Sequence, residues 1–137
     1  MIETADEFVR LCNSSDPSER RRAAFEEAPT QVWMEVIDRY PEERVAVVQN
    51  KTVPLAVLEV MIDDPDTRVR FMVAMKRKLS PDLLERLARD VDESIRLRVV
   101  QHRNTSRETL ESLRRDPWSE VRAAVEDRLG GAASDLL

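Results

Sequence analysis

Residues 80–101 read SPDLLERLARDVDESIRLRVVQ, and this stretch decides the fold. Its first half places Leu84 and Leu87 three positions apart, and its second half places Ile95 and Val99 four positions apart. Both spacings bring side chains to one face of an α-helix, whereas a strand would alternate every second residue. The stretch therefore predicts two short helices, each with one apolar face, joined by a tight acidic turn.

The same pattern recurs along the chain at a fixed period. The acidic turn begins at Asp64, Asp90 and Asp116, each 26 positions after the one before. Weaker copies begin at Tyr40 and Asp16, each 24 positions before the next. Periods of roughly 20–50 residues are typical of repeat arrays, in which stacked units bury the apolar faces of their neighbours. We therefore predict an all-α fold, an α-solenoid of about five two-helix repeats of 24–26 residues.

The repeat also predicts the domain organisation. We expect a single helical-repeat domain over residues 1–131, with units that begin near residues 16, 40, 64, 90 and 116. Gly130 and Gly131 are typical of a helix end. Residues 132–137 are therefore predicted to form a flexible C-terminal tail.

The composition narrows the class of protein. Of 137 residues, 36% are charged and 4% are aromatic, and the net charge is −5. Cys12 is the only cysteine in this sequence, which excludes an internal disulfide and a site with several thiolate ligands. No apolar run approaches the ~20 residues that span a bilayer, and the N-terminal segment is acidic, unlike a signal peptide. We expect a cytoplasmic protein without membrane contact or cofactor.

One unit carries a helix-opening proline, spaced apolar residues, a turn aspartate and a following arginine: Pro81, Leu84, Leu87, Ala88, Asp90, Ile95, Arg96 and Val99. Together with the connector at residues 50–54, this pattern resembles the leucine-rich repeat variant, a bacterial relative of HEAT-like solenoids, over roughly residues 16–129. The resemblance implies a right-handed superhelix in which an α-helix alternates with a shorter helix of α or 3₁₀ type. Units of 26 residues exceed the length typical of that family, which favours an α-helical second helix.

An arginine recurs after the acidic turns: Arg22, Arg70, Arg96 and Arg122. These side chains could present a row of guanidinium groups to an anionic partner. A residue that recurs with the unit more often serves the unit, and the planar guanidinium suits bidentate contact with a carboxylate. We therefore predict a structural ladder in which these arginines bind the turn carboxylates of Asp64, Asp90 and Asp116.

The sequence contains no pattern that predicts catalysis or a metal site. The acidic turns lack the Asp/Asn-rich loop with a closing Glu that calcium requires. Each turn precedes a predicted helix, where negative charge offsets the helix dipole by roughly 0.3–1 kcal/mol. No Gly-rich phosphate loop, GxSxG elbow or HExxH helix occurs. We therefore predict no catalytic residues and no bound metal.

Basic residues gather near the predicted C-terminal ends of the second helices: Lys51, Lys76, Arg77, Lys78, His102, Arg103 and Arg128. Lys76, His102 and Arg128 share one repeat position, so stacking would place them along one edge that could follow a phosphate backbone. Cations at helix C-termini also complement the helix dipole, and no aromatic residue interleaves the edge to stack bases. We favour a solvated edge with an exposed His102 and keep an anion or nucleic-acid contact as the alternative.

Three further side chains stand out. Trp118 occupies a turn position that other units fill with serine or carboxylates, so it is a candidate protein contact, and stacking on the following helix is the alternative. Trp33 lies next to Met34, which the repeat phase assigns to the core, and partial burial of Trp33 is expected. Cys12 is expected to pack as a small buried hydrophobe.

These features predict a non-catalytic protein–protein interaction module that presents a rigid, curved helical surface to another protein. The alternative function is nucleic-acid binding along the basic edge. An enzyme, the third class, would need a deep pocket with perturbed titrating groups, which the regular repeat does not predict.

Overall fold

The structure is a computed structural model that describes the backbone of residues 1–134 and the side chains of residues 1–130. Over these residues the chain is helical and contains no β-strand. It divides into two compact units, Met1–Met72 and Val73 onward. Within the same residues, no helix is both long enough and apolar enough to cross a membrane. The all-α class is confirmed, whereas the solenoid and the single repeat domain stay predictions.

The first unit is built from short helices. In chain order they are α1 Ala5–Cys12, α2 Pro17–Phe25, α3 Thr30–Arg39, a 3₁₀ turn Pro41–Glu43, α4 Arg44–Gln49 and α5 Leu55–Met61. Helix α1 packs against α2 and α3, and α3 packs against α4 and α5. At the centre, the rings of Phe8 and Trp33 meet edge to face with their centroids 5.0 Å apart, a favoured geometry for aromatic pairs.

The second unit also consists of helices. Helix α6, Thr67–Ala74, crosses the division between the units. The helices that follow are α7 Pro81–Leu87, α8 Glu93–Gln101, α9 Arg107–Ser112 and α10 Ser119–Ser134. Helix α8 packs against α7 and α10, and α9 packs against α10. In this unit α8 and α10 are α-helical from their first turn, whereas a 3₁₀ turn precedes α4 in the shorter 24-residue repeat.

The apolar faces that the spacing predicts form the core of the second unit. Leu84, Leu87, Ile95 and Val99 are all buried. Burial of a side chain of this size stabilises the fold by about 1.5–3 kcal/mol. The two spacings in residues 80–101 therefore predict the core side of both helices correctly.

Polar side chains fix where these helices begin. Ser80 accepts a hydrogen bond from the Leu83 N–H before α7, and Asp92 accepts one from the Ser94 N–H before α8. Such caps satisfy backbone donors that lack a partner in the first helical turn, at about 1 kcal/mol each. The helix starts are therefore encoded locally.

The predicted phase of α3 is wrong by one position. Trp33 and Val36 are fully buried, whereas Met34 is 37% exposed and Ile37 is half-buried. The reason is the aromatic contact, because α3 turns toward α1 to place the larger Trp33 side chain against Phe8. Burying the tryptophan removes more apolar surface from water than burying the methionine would.

The predicted helix end at Gly130 and Gly131 is also wrong, because α10 continues to Ser134. Among the described residues no glycine has a positive φ, so no left-handed cap forms. A glycine inside a helix costs only about 1 kcal/mol relative to alanine, which a helix of this length tolerates. Residues 132–134 of the predicted tail belong to α10, and residues 135–137 lie outside the described part of the chain.

Candidate anion-binding site

Arg96 and Asp116 form a buried ion pair in the second unit. Arg96 Nε and Nη2 donate to the two carboxylate oxygens of Asp116 at 2.7 and 3.2 Å. Only 13% of the arginine side chain and 3% of the aspartate side chain are exposed. Burial by itself would raise the pKa of Asp116, but hydrogen bonds from Arg96 and from the Trp118 N–H outweigh it and hold the pKa below its ordinary value. The pair joins α8 to the turn before α10.

The matching contact in the first unit is looser. Arg44 Nη1 lies 3.4 Å from Oδ2 of Asp64, and Arg44 Nε donates to the Ile37 carbonyl at 2.8 Å. The predicted spacing of 24 residues between Tyr40 and Asp64 makes Arg44 equivalent to Arg68, whereas a spacing of 26 residues makes Arg44 equivalent to Arg70. The period itself is therefore the signal that identifies this arginine.

The repeated arginines also bind the backbone of their own turn. Arg70, Arg96 and Arg122 each donate through Nη1 to the carbonyl six residues earlier, at 2.7–2.9 Å. In the first unit Arg20 makes this contact, to the Ser14 carbonyl at 2.8 Å. The expected member, Arg22, pairs instead with Glu26 and Glu7, so placing Arg22 in the ladder is wrong.

The turn aspartates close their own turns as well. The carboxylates of Asp64, Asp90 and Asp116 each accept the backbone N–H two residues later, at 2.9 Å. Asp64 and Asp116 are buried. These carboxylates therefore hold the turn before each second helix.

The structure contradicts the expected exposure of His102, because only 4% of the residue is exposed. Its Nε2 lies 2.7 Å from the Lys76 carbonyl, and its Nδ1 accepts the Asn104 N–H at 3.0 Å. These partners require a neutral ring with the proton on Nε2, a tautomer assigned from the hydrogen-bond network. The side chain reaches back 26 residues to the same position of the preceding repeat. His102 is therefore buried because it satisfies a carbonyl in the segment that follows α6.

The same contact recurs at the equivalent positions. Asn50 donates through Nδ2 to the Glu26 carbonyl at 3.0 Å, and Arg128 donates through Nη1 to the His102 carbonyl at 2.6 Å. The Arg128 guanidinium therefore caps the C-terminal end of α8, and its place on an anion-binding edge stays a prediction. Carbonyls at helix ends lack partners within the helix. A side-chain donor from the next repeat therefore supplies a hydrogen bond to each of them.

The predicted basic edge is consequently not a row of free cations. Lys51, Arg77, Lys78 and Arg103 are exposed, and Lys76 is half-buried. Partial burial lowers the pKa of Lys78. Of the exposed members, Arg77 follows α6 and Arg103 follows α8.

A surface cavity of about 410 Å³ lies in the second unit beside His102. We call it the arginine groove, and its lining is Met75, Arg77, Arg98, Gln101, His102 and Arg103. Within residues 1–130, none of its three arginines forms an ion pair with a carboxylate. The Nε–H of Arg98 is buried and has no hydrogen-bond partner in the same residues. The groove therefore holds three formal positive charges that the fold does not neutralise.

Arg98 is the member of this site that the sequence prediction missed. Its repeat position holds Ala46, Met72 and Ala124 in other units. A charged residue where the repeat otherwise places small or apolar side chains was the available signal. The departure from the repeat therefore indicates Arg98, whereas Arg77 and Arg103 occupy a basic position that recurs every 26 residues from Lys51.

The first unit has a groove at matching repeat positions with different chemistry. Its volume is about 210 Å³, and we call it the alanine groove, lined by Cys12, Arg20, Ala23, Ala24, Ala46 and Gln49. Burial, with a smaller contribution from Glu43, raises the pKa of the Cys12 thiol to about 12. Its one arginine, Arg20, is bonded to the Ser14 carbonyl. No uncompensated set of cations lines this groove.

The two tryptophans lie in different surroundings. Trp118 is half-buried and directly precedes α10, where its carbonyl accepts the Val121 and Arg122 N–H groups. Its proposed role as a protein contact stays a prediction. Trp33 is fully buried, and its indole N–H has no partner within the part of the chain that the structure describes.

Comparison with protein-family models, with curated proteins and with solved structures found no match to this chain. The resemblance to the leucine-rich repeat variant therefore stays a prediction. Across the described residues, no group of three or more His, Cys, Asp and Glu side chains is arranged to hold a metal ion.

Proposed function

We propose that this chain is a non-catalytic binding module that recognises another protein through the arginine groove. The observation that carries the proposal is the set of three arginines, Arg77, Arg98 and Arg103, which line one cavity without a carboxylate partner in residues 1–130. Uncompensated guanidinium groups favour an anionic partner, and arginine is enriched where proteins bind one another.

The remaining polar groups at repeat positions support a scaffold role for the rest of the chain. Asn50, His102 and Arg128 hold backbone carbonyls one repeat earlier, and Arg96 holds Asp116. Contacts that recur with the unit are the kind expected of a right-handed α-solenoid of the leucine-rich repeat variant, which we propose as the architecture. A cytoplasmic location fits this role. A preformed surface of this kind binds with little ordering cost.

Nucleic-acid binding is the second candidate function. It is favoured by three exposed cations, Arg77 and Arg103 in the groove and Lys78 next to Arg77 in the sequence. It is disfavoured because His102 and Arg128 serve the fold, which interrupts the line of charges that a phosphate backbone would follow.

Photo-crosslinking from matched positions tests the proposed function. Gln101 in the arginine groove and Gln49 in the alanine groove share a repeat position and are both exposed. A photoreactive amino acid at residue 101 is expected to capture one defined protein from nuclease-treated native lysate. The same group at residue 49 is expected to capture none, and Arg98→Gln should abolish capture from residue 101.

The captured protein is then purified and mixed with the wild-type chain. Saturable binding that Arg98→Gln abolishes would support the proposal. Equal capture from both positions, or capture that survives Arg98→Gln, would contradict it. Recovery of nucleic acid in the untreated lysate, released by salt, would favour the second candidate.

A further inference from the structure

The charge of the arginine groove indicates which anion it accepts. Three guanidinium groups contribute three formal positive charges, and the lining contains no carboxylate. A single carboxylate supplies one negative charge and two oxygens, which leaves most of this charge uncompensated. A phosphate monoester carries about −1.5 to −2 charges at pH 7 and three strong acceptor oxygens. The groove is therefore better matched to a phosphate monoester.

The charged donors in the groove are those of arginine. His102 lines the cavity, but both of its ring nitrogens already have partners, at the Lys76 carbonyl and the Asn104 N–H. The Arg98 Nε–H is buried and unpartnered among the described residues. A buried donor without a partner is costly, so a ligand oxygen that reached it would supply a hydrogen bond that the fold does not.

The size of the cavity indicates that the phosphate is attached to something larger. A volume of about 410 Å³ falls within the range of roughly 300–1,000 Å³ that is typical of ligand sites and is more than one phosphate group needs. Met75 is half-exposed at the cavity and supplies an apolar wall for the group that carries the phosphate. The lining contains no aromatic side chain on which a base could stack.

We propose that the arginine groove binds a phosphorylated side chain of a partner protein, with Arg77, Arg98 and Arg103 contacting the phosphate oxygens. This inference rests on the proposed function and names the chemical group that the partner presents. A phosphoprotein is favoured over a nucleic acid because the net charge of −5 opposes the approach of a polyanion, whereas one phosphate group needs only the local charge of the groove.

Calorimetric titration of the full chain tests the inference with a short alanine-based peptide that carries one phosphoserine. The wild-type chain is expected to bind one peptide per chain. Arg98→Gln should weaken binding by at least about tenfold. Arg98→Lys should give an intermediate affinity, because lysine keeps the charge but loses the planar fork.

Arg89→Gln is the matched control, since it removes the same charge from an exposed arginine in the same unit that pairs with Glu85. It should leave the affinity within about twofold. Arg103→Gln, at an exposed position, keeps the inference testable if Arg98→Gln does not fold. Each variant is checked by circular dichroism before titration.

Three results would overturn the inference. The first is equal loss from Arg98→Gln and Arg89→Gln, which would indicate general screening. The second is equal affinity for peptides with serine or glutamate in place of phosphoserine. The third is tighter, steeply salt-dependent binding of single-stranded DNA.

The failure of the inference and the failure of the proposed function give different results. Phosphopeptide binding at Arg98 without a protein partner would keep the inference and reject the proposed function. A captured partner that depends on Arg98 but is unaffected by phosphatase treatment would keep the proposed function and reject the inference.

Discussion

The grooves of the two units occupy matching repeat positions but differ in chemistry. In the alanine groove the position of Arg98 is held by Ala46, and the one arginine in the lining is bonded to the backbone. In the arginine groove three arginines lack carboxylate partners within residues 1–130. One departure from the repeat, Arg98, therefore adds a charge to Arg77 and Arg103, which occupy a basic position that recurs every 26 residues.

At the helix-end contacts the residue type also changes between repeats, but the contact that it makes is kept. Asn50 in the first unit, and His102 and Arg128 in the second, each bind a carbonyl one repeat earlier. A position that retains one contact through such different side chains serves the fold. A position such as 98, where the side chain changes and leaves a donor unpartnered, is a better candidate for function.

The largest expected effect comes from breaking the ion pairs of the two units. Arg96→Ala leaves the carboxylate of Asp116 buried and unpaired, and we expect it to lower the free energy of unfolding by about 3–5 kcal/mol. Arg44→Ala removes one longer contact to Asp64 together with the hydrogen bond to the Ile37 carbonyl, and it should cost about half as much. Urea unfolding at pH 7 measures both, and equal losses would contradict the difference drawn between the two pairs.

The same pair predicts a loss of stability in acid. The folded-state pKa of Asp116 lies below its unfolded value of about 3.9. Its contribution is therefore complete above that value and is lost as the pH falls through the folded-state pKa. Unfolding measured from pH 7 to pH 3 should show the stability difference between wild type and Asp116→Asn shrinking below about pH 4. A constant difference would show that ionisation of Asp116 does not stabilise the fold.

The helix-end contacts are expected to matter next. His102→Ala leaves the Asn104 N–H without its ring acceptor and the Lys76 carbonyl with only the Leu79 N–H, and it should lower the free energy of unfolding by about 1–3 kcal/mol. Asn50→Ala, at the same repeat position of the first unit, should cost a similar amount. A loss below about 0.5 kcal/mol for His102→Ala would indicate an exposed, dispensable ring.

Sequence reasoning reached these features to different extents. Leu84, Leu87, Ile95 and Val99 were assigned to the core because helical periodicity depends only on spacing. The turn aspartates were identified because a period marks residues that serve every unit. The burial of His102 was missed because sequence gives its register but not its reach to a carbonyl 26 residues earlier.

Two other errors have the same origin. The phase of α3 depends on where Trp33 meets Phe8, a contact between helices that the spacing within α3 does not contain. The sequence pattern places Arg77, His102 and Arg103 of the arginine groove on one basic edge, but it does not indicate Arg98, which lies within an otherwise regular helix. Contacts between different helices depend on how the chain folds, so the sequence pattern does not predict them. The pattern predicts only which residues share one face of the same helix.

Replacing Arg98 with the apolar residue found at this position of another repeat should stabilise the chain slightly. Arg98→Met installs the residue found 26 positions earlier, at Met72, and removes both a buried unpartnered donor and repulsion from Arg77 and Arg103. We expect an increase of about 0.5–1 kcal/mol in the free energy of unfolding at low salt, smaller at high salt because salt screens the repulsion. A loss of more than about 1 kcal/mol would assign Arg98 to the fold.

The smallest expected effect is at Cys12 in the alanine groove. With a pKa of about 12, its thiol is protonated at neutral pH and should react with iodoacetamide far more slowly in the native chain than in urea. Mass spectrometry of timed samples measures both rates. Equal rates would show that the groove does not shield the thiol.

The arginines of the arginine groove are expected to bind an anion, whereas the arginines that follow the acidic turns serve the fold. Nuclear magnetic resonance of the arginine Nε–H groups during titration with inorganic phosphate tests this expectation most directly. The Arg98 signal is expected to move saturably, and the signal of Arg96, already bonded to Asp116, is expected to stay in place. Movement of both signals together, or no movement at Arg98, would contradict the account.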